Sequence, residues 1–93
     1  MNDTRTAILR AGMDLWRQGN ETDVSARKIA GMIGLTHAGV LYGFKNAAAM
    51  RDAVARAAVA AGDPVIIPKL IVAGHAAVGD MSPVDRQRWL AGC

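Results

Sequence analysis

Apolar residues recur along the chain at the three- and four-residue spacing of an α-helix. In the first predicted helix, about residues 4–18, Ile8, Ala11, Leu15 and Trp16 fall on one face. The same pattern predicts helices over about residues 26–33, 36–42, 47–61 and 64–78, and a sixth helix that begins at Ser82-Pro83. Many alanines and few aromatic residues also suit short, closely packed helices better than sheets. We therefore predict an all-α fold, a short helical bundle.

The ends of several predicted helices are marked by capping residues and prolines. Either Asp3 or Thr4 can cap the first helix, and Asn46 stands at the N-cap of the fourth. The fifth helix is predicted to start near Pro64, because proline is well tolerated at the first helical position. Since only one proline can hold that position, we expect a kink or an irregular turn before Pro68.

Two short predicted helices with a glycine between them form the most informative segment. A helix-turn-helix needs a small residue where the helices cross, which Ala30 supplies, and a turn residue that tolerates positive φ, which Gly34 supplies. Ser25 and Thr36 stand at the two N-caps. The inner faces would be lined by Ile29, Ile33, Leu35 and Val40. The pattern therefore predicts a helix-turn-helix over about residues 25–44.

Charge divides the chain into a basic and a neutral region. Residues 1–56 carry eight Lys or Arg and five Asp or Glu, whereas residues 57–93 carry three of each. After about residue 62 charged residues become less frequent and β-branched residues become more frequent. We therefore expect two regions, residues 1–62 and residues 63–93, with different roles, and the basic balance of the first permits nucleic-acid binding.

Several short motifs occur together in the first part of the chain. They are Ile8-Leu9-Arg10-Ala11, Leu15-Trp16, Ser25-Ala26-Arg27-Lys28-Ile29-Ala30, Gly34-Leu35-Thr36, Phe44 and Met50. This combination resembles the DNA-binding domain of the tetracycline-repressor (TetR) family over about residues 5–55. The resemblance implies a three-helix DNA-binding core with a connecting fourth helix, and a third helix that lies in the major groove.

Two positions depart from the pattern of that family. Its phosphate-contacting Tyr would align with Leu41, whereas this chain has Tyr42 one residue later. Its Lys at the start of the fourth helix would align with Ala47, whereas Lys45 lies two residues earlier. Either these displaced neighbours take over the contacts with the DNA backbone, or the affinity for DNA is reduced.

The resemblance assigns roles to individual side chains. The residues expected to face base edges are Thr36, His37, Ala38 and Gly39, and those expected to contact phosphates are Ser25, Arg27, Lys28, Tyr42 and Lys45. Each assignment has an ordinary alternative. The basic residues could simply form a solvated helix face. His37 could be an ordinary surface histidine, and Gly39 could be a small residue at a surface position. Arg5 and Arg10 are given no role, since the sequence does not favour a contact of their side chains with the DNA backbone over exposure to solvent.

The neutral region contains more apolar residues than we expect a small monomer to bury. They are Val65, Ile66, Ile67, Leu70, Ile71, Val78, Trp89 and Leu90. We therefore expect a homodimer through this region, which would set the two third helices about 34–36 Å apart to read a palindromic site. Repression is the simplest consequence. With only about 30 residues after the fourth helix, no small-molecule inducer pocket is expected.

Other classes of function have little support in the sequence. We expect no enzyme, cofactor or metal site, because no nucleophile has an evident base and no metal-ligating cluster or phosphate-binding glycine loop appears. A single cysteine, Cys93, suits a reducing compartment, and the absence of a signal peptide or a long apolar run favours a soluble, cytoplasmic protein. The main alternative is a helix-turn-helix scaffold that contacts another protein, as an antirepressor or assembly factor.

Overall fold

The computed structural model describes the backbone of residues 3–91 and the side chains of residues 4–91. This part of the chain is a compact all-α globule of six helices without a strand, which confirms the predicted class. The helices are α1 (Asp3–Gln18), α2 (Ala26–Ile33), α3 (His37–Leu41), α4 (Ala47–Ala61), α5 (Ile66–Ala73) and α6 (Pro83–Leu90). Short 3-10 turns at Glu21–Asp23 and Ala76–Val78 precede α2 and follow α5. Cys93 and the side chain of Asp3, one predicted cap, lie outside the described residues.

The fourth helix has the predicted bounds. The side-chain oxygen of Asn46 accepts a hydrogen bond from the amide of Ala49 at 2.8 Å and caps the start of α4. Gly62 ends α4 in the left-handed conformation, with φ of 67°. Both signals are local in sequence, so the boundaries of α4 follow from residues adjacent to it.

The fifth helix is shorter than predicted: it begins at Ile66, close to the predicted Pro64, but the predicted end near residue 78 was wrong. Just before the start of α5, the carboxylate of Asp63 accepts hydrogen bonds from the amides of Val65 and Ile66, both at 2.9 Å. Pro68 is the third residue of α5, a position in the first turn that proline tolerates, and the expected irregular turn before it lies at residues 64–65. Gly74, at φ 68°, ends α5 well before residue 78.

One hydrophobic core joins both halves of the chain. Its fully buried residues include Ile29, Val40, Met50, Val54, Ile66 and Leu70. Residues 63–78 therefore pack into the same core as α1, α2 and α4.

This packing corrects the expectation for the apolar C-terminal residues. Four residues assigned to a subunit interface are at most 3 % exposed in the single chain, namely Ile66, Ile67, Leu70 and Val78. The chain buries them itself, so they are not available on its surface to a partner. Val65 and Leu90 are exposed, and Ile71 and Trp89 are partly buried.

Two polar contacts fix α5 against the end of α1. Nε of Arg17 donates a hydrogen bond to the buried Asp63 carboxylate at 2.7 Å. Nζ of Lys69 donates to the backbone carbonyls of Trp16, Arg17 and Gly19 at 2.9, 3.0 and 2.5 Å. The ammonium group satisfies carbonyls that have no partner at the end of a helix, and it complements the negative end of the helix dipole.

Candidate nucleic-acid interface

α2 and α3 are joined by a tight turn at the predicted glycine. Gly34 has φ of 73° and ψ of 31°, in the left-handed region where a side chain is disfavoured. The amide of Leu35 donates a hydrogen bond to the carbonyl of Ala30 at 3.0 Å and closes the end of α2. The predicted elements of a helix-turn-helix, two short helices with a glycine turn, are therefore present in this order.

Both helices begin at the predicted hydroxyl caps. The hydroxyl oxygen of Ser25 accepts a hydrogen bond from the amide of Lys28 at 3.1 Å, and that of Thr36 accepts from the amide of Gly39 at 2.9 Å. Each hydroxyl oxygen has accepted one backbone hydrogen bond and retains its own hydrogen as a donor. Such a hydrogen can be donated to a phosphate oxygen or to water.

Apolar residues hold the two helices together, with one exception to the prediction. Ile29 and Val40 are fully buried, Ala30 is buried, and Ile33 packs partly buried against the core. Leu35, expected on an inner face, is instead 39 % exposed.

The outer surface of α3 carries the residues expected to face bases. Thr36, His37 and Ala38 are exposed, and Gly39 is partly buried. Tyr42 follows α3 directly and is 93 % exposed, so its phenol is open to solvent rather than packed in the core. The structure therefore brings this set together on one short helix and its C-terminal end.

Gly39 has a local structural explanation that the sequence did not indicate. A Cβ atom added there would lie 3.1 Å from the hydroxyl oxygen of Thr36 and 3.8 Å from Cβ of Leu35. The first of these contacts is tight, so the small residue accommodates the cap of α3. This explanation applies whether or not a ligand approaches the helix.

The basic residues of α2 differ in their surroundings. Arg27 and Lys28 are both exposed, but Nζ of Lys28 lies 3.6 Å from the carboxylate of Asp23. A hydrogen bond from the amide of Asn20 to this carboxylate, with a smaller contribution from Lys28, lowers the pKa of Asp23. Part of the Lys28 charge is therefore balanced within the chain, which leaves Arg27 the stronger candidate for a phosphate contact. Lys45 is exposed in the segment between α3 and α4.

One arrangement near α3 was not identified by sequence reasoning. The guanidinium carbon of Arg5 lies 4.7 Å from the centre of the Phe44 ring, a cation–π geometry. A cleft of about 260 Å3 separates the first turns of α1 from the end of α3. It is lined by Thr4, Arg5, Ile8, Gly39, Tyr42, Gly43 and Phe44. The sequence offered no signal for it, because residues 5 and 44 are far apart along the chain and meet only in the folded structure.

A larger groove lies elsewhere on the surface of the described residues. It lies between the end of α1 and α5, has a volume of about 650 Å3, and is lined by Trp16, Asn20, Thr22, Pro68 and Val72 among others. Within residues 3–91, no three His, Cys, Asp or Glu side chains are grouped so that they could hold a metal ion. No helix in the same range is both long and apolar enough to cross a membrane.

Comparisons with protein-family models, curated proteins and solved structures find no match to this chain. Its geometry and surface chemistry therefore carry the functional argument.

Proposed function

We propose that this chain is a sequence-specific DNA-binding transcriptional regulator of the helix-turn-helix type. The observation that carries the proposal is the α2–Gly34–α3 unit, in which a buried inner face leaves the outer face of α3 exposed. In the proposed complex α3 enters the major groove and the start of α2 crosses the DNA backbone. The resemblance to the tetracycline-repressor family supports the same arrangement.

The proposed contacts divide into those that position the protein and those that read sequence. Arg27, Lys45 and, more weakly, Lys28 contact phosphates, because they are exposed cations near the helix-turn-helix. His37 can donate to or accept from a base edge at the start of α3. Phosphate contacts carry no sequence information, so the selectivity depends on α3.

We further propose that two copies bind a palindromic operator and repress transcription in the cytoplasm, without a small-molecule inducer. A two-fold dimer would match two half-sites about one turn of DNA apart. Of the residues first assigned to dimerisation, Val65 and Leu90 are 45 % and 46 % exposed and remain available for such a contact.

Fluorescence anisotropy with labelled duplexes tests the proposal. Fragments from upstream of the protein's own gene are compared with scrambled duplexes at two salt concentrations. We expect fragment-selective binding that weakens steeply with salt, because phosphate contacts release counterions. Arg27→Gln should weaken binding, whereas Arg56→Gln, whose side chain pairs with Asp52 on α4 at 2.8 Å, should not. Equal, weak binding to all fragments would contradict a sequence-specific regulator.

A protein-binding role is the second candidate, and one observation favours it. Met32, Leu35 and Tyr42 on and beside the helix-turn-helix are 48 %, 39 % and 93 % exposed. Exposed apolar and aromatic side chains are enriched at protein interfaces. If the protein binds no duplex at low salt, affinity capture with wild type and with a Met32→Ser/Leu35→Ser variant would test this role. Loss of a captured partner in the variant is the expected result.

A further inference from the structure

We propose that α6 of one copy of this chain docks in the groove between α1 and α2 of a second copy, so that a two-fold dimer contains this contact twice. The inference rests on the proposed function and names the surface through which its two copies associate. The groove has a volume of about 590 Å3. It is lined on α1 by Ala7, Arg10, Ala11 and Asp14, and on α2 by Met32 and Ile33.

The α1 side of this groove carries one cation and one anion beside an apolar wall. Arg10 and Asp14 are exposed and four residues apart, so they lie on the same face of the helix. Among the described residues, Arg10 has no ion-pair partner, whereas Asp14 pairs with Nη1 of Arg17 at 2.6 Å and is still 52 % exposed. Met32 on the facing helix is 48 % exposed, and its flexible side chain can adapt to a partner.

The outer face of α6 has the same combination of groups. Val84 is 66 % exposed, and Asp85 and Arg88 lie exposed on the same side of the helix. None of the residues of α6, all of which the structure describes, is buried. The single chain therefore leaves this face uncovered.

The charges of the two faces are complementary in their order along the helices. In α1 the cation Arg10 precedes the anion Asp14, whereas in α6 the anion Asp85 precedes the cation Arg88. When the two helices lie side by side and parallel, each charge faces one of opposite sign, and Val84 can enter the apolar part of the groove. Such complementarity selects the partner and the register, while burial of apolar surface supplies the affinity.

A second copy is the occupant because one chain carries both halves of the contact without joining them. α6 packs against α5, and its charged face and the α1–α2 groove are both open in the single chain. Two copies related by a two-fold axis fill both grooves at once and leave neither half unpaired.

Charge reversal in the full chain, measured by sedimentation equilibrium, tests the inference. Arg10→Glu and Asp85→Lys each bring like charges together, and the Arg10→Glu/Asp85→Lys variant restores an opposite pair in exchanged positions. Glu21→Lys is the matched control for Asp85→Lys, because Glu21 is an exposed carboxylate that lines a different groove. Thermal unfolding of each variant verifies that it folds.

We expect wild type to form a dimer that weakens as salt is added, because the facing charges are screened. Each single reversal should raise the dissociation constant of the dimer by at least about tenfold. The double variant should return it to within about threefold of the wild-type value, which independent effects of the two substitutions would not do. Glu21→Lys should leave it unchanged.

A wild-type dimer whose dissociation constant neither single reversal changes would overturn this inference and leave the proposed function intact. A double variant that dimerises no better than the single variants would overturn it as well. Loss of duplex binding by an Arg10→Glu variant that remains dimeric would also overturn it and would assign the groove to DNA. A wild type that is monomeric both alone and on duplex DNA would overturn the inference together with the proposed dimer, and fragment-selective binding would then show whether the regulatory function stands without it.

Discussion

Gly12 on α1 faces Val54 on α4 so closely that a Cβ atom added at Gly12 would lie 2.6 Å from Cγ2 of Val54. Val54 is fully buried, so its methyl groups have little space into which to move. The missing side chain thus lets the two longest helices of the described chain approach each other. α1 and α4 together form much of the core on which α2 and α3 pack.

This contact predicts that Gly12→Ala destabilises the protein despite the higher helix propensity of alanine. Overpacking a core costs about 1–3 kcal/mol, and the propensity gain of about 1 kcal/mol offsets only part of it. Gly31→Ala is the matched control, because Gly31 is an exposed helical glycine and its added Cβ would meet nothing within 4 Å. Urea unfolding should show a lower free energy of unfolding for Gly12→Ala and an unchanged or higher one for Gly31→Ala.

A double-mutant cycle sharpens that test. Val54→Ala alone should destabilise the protein, because it leaves a cavity. In the Gly12→Ala/Val54→Ala variant the added methyl group occupies part of that cavity, so the double variant should be more stable than the sum of the single effects indicates. Strict additivity would contradict the close contact.

Asp63 predicts how stability depends on pH. Burial raises the pKa of its carboxyl group, but hydrogen bonds from the amides of Ile66 and Val65 and from Arg17 outweigh burial and lower the pKa below 3.8. A lowered pKa in the folded state contributes stability that is present above the unfolded pKa and is lost as the pH falls through the folded pKa. The free energy of unfolding of wild type should therefore decrease as the pH falls below about 4.

Two variants separate the cap from the charge of Asp63. Asn is as good an N-cap as Asp, so Asp63→Asn should keep much of the cap at neutral pH and show a weaker acid dependence. Asp63→Ala should lose both, with a cost of about 1–3 kcal/mol at pH 7. The readout is urea unfolding between about pH 3 and pH 7. An acid dependence in Asp63→Asn as steep as in wild type would show that other carboxylates cause it.

The same substitution at Lys69 and at Lys45 is expected to affect different properties, stability in the first case and DNA binding in the second. Nζ of Lys69 donates to three carbonyls at the end of α1, so Lys69→Met should lower the free energy of unfolding by about 1–3 kcal/mol. Lys45 is exposed, so Lys45→Met should leave stability within about 0.5 kcal/mol and weaken DNA binding instead. Thermal unfolding and anisotropy on both variants check the two effects, and equal stability losses would contradict the role assigned to Lys69.

An element of this fold can be predicted from the sequence when the residues that determine it lie close to it along the chain. Ser25, Gly34, Asn46 and Gly62 lie at the ends of α2 and α4, and the bounds of both helices were predicted correctly. The start of α5 was predicted only approximately, near Pro64 instead of Ile66. The contact of Asp63 with Arg17, which is 46 residues away in sequence, was not predicted. A sequence pattern contains no such distant contact.

The same distinction applies to apolar residues and to the candidate site. Helical spacing marked Ile66 and Leu70 as apolar anchors, but only packing against α1 and α4 shows that this chain buries them itself. At the candidate site, the caps and the exposed row on α3 were predictable. The contact of Arg5 with Phe44 was not, since it depends on where α1 lies relative to α3.

The division of roles within the helix-turn-helix predicts two separable effects on DNA binding. His37 is exposed at the first position of α3, so His37→Ala should reduce the preference for operator over scrambled duplex and leave the salt slope unchanged. Arg27 is an exposed cation on α2, so Arg27→Gln should weaken binding to both duplexes alike and make the salt slope shallower by about 0.9. Anisotropy titrations of both variants on both duplexes measure the two quantities independently. A His37→Ala variant with unchanged preference would remove His37 from base recognition, whereas an Arg27→Gln variant with an unchanged slope would remove the start of α2 from the DNA backbone.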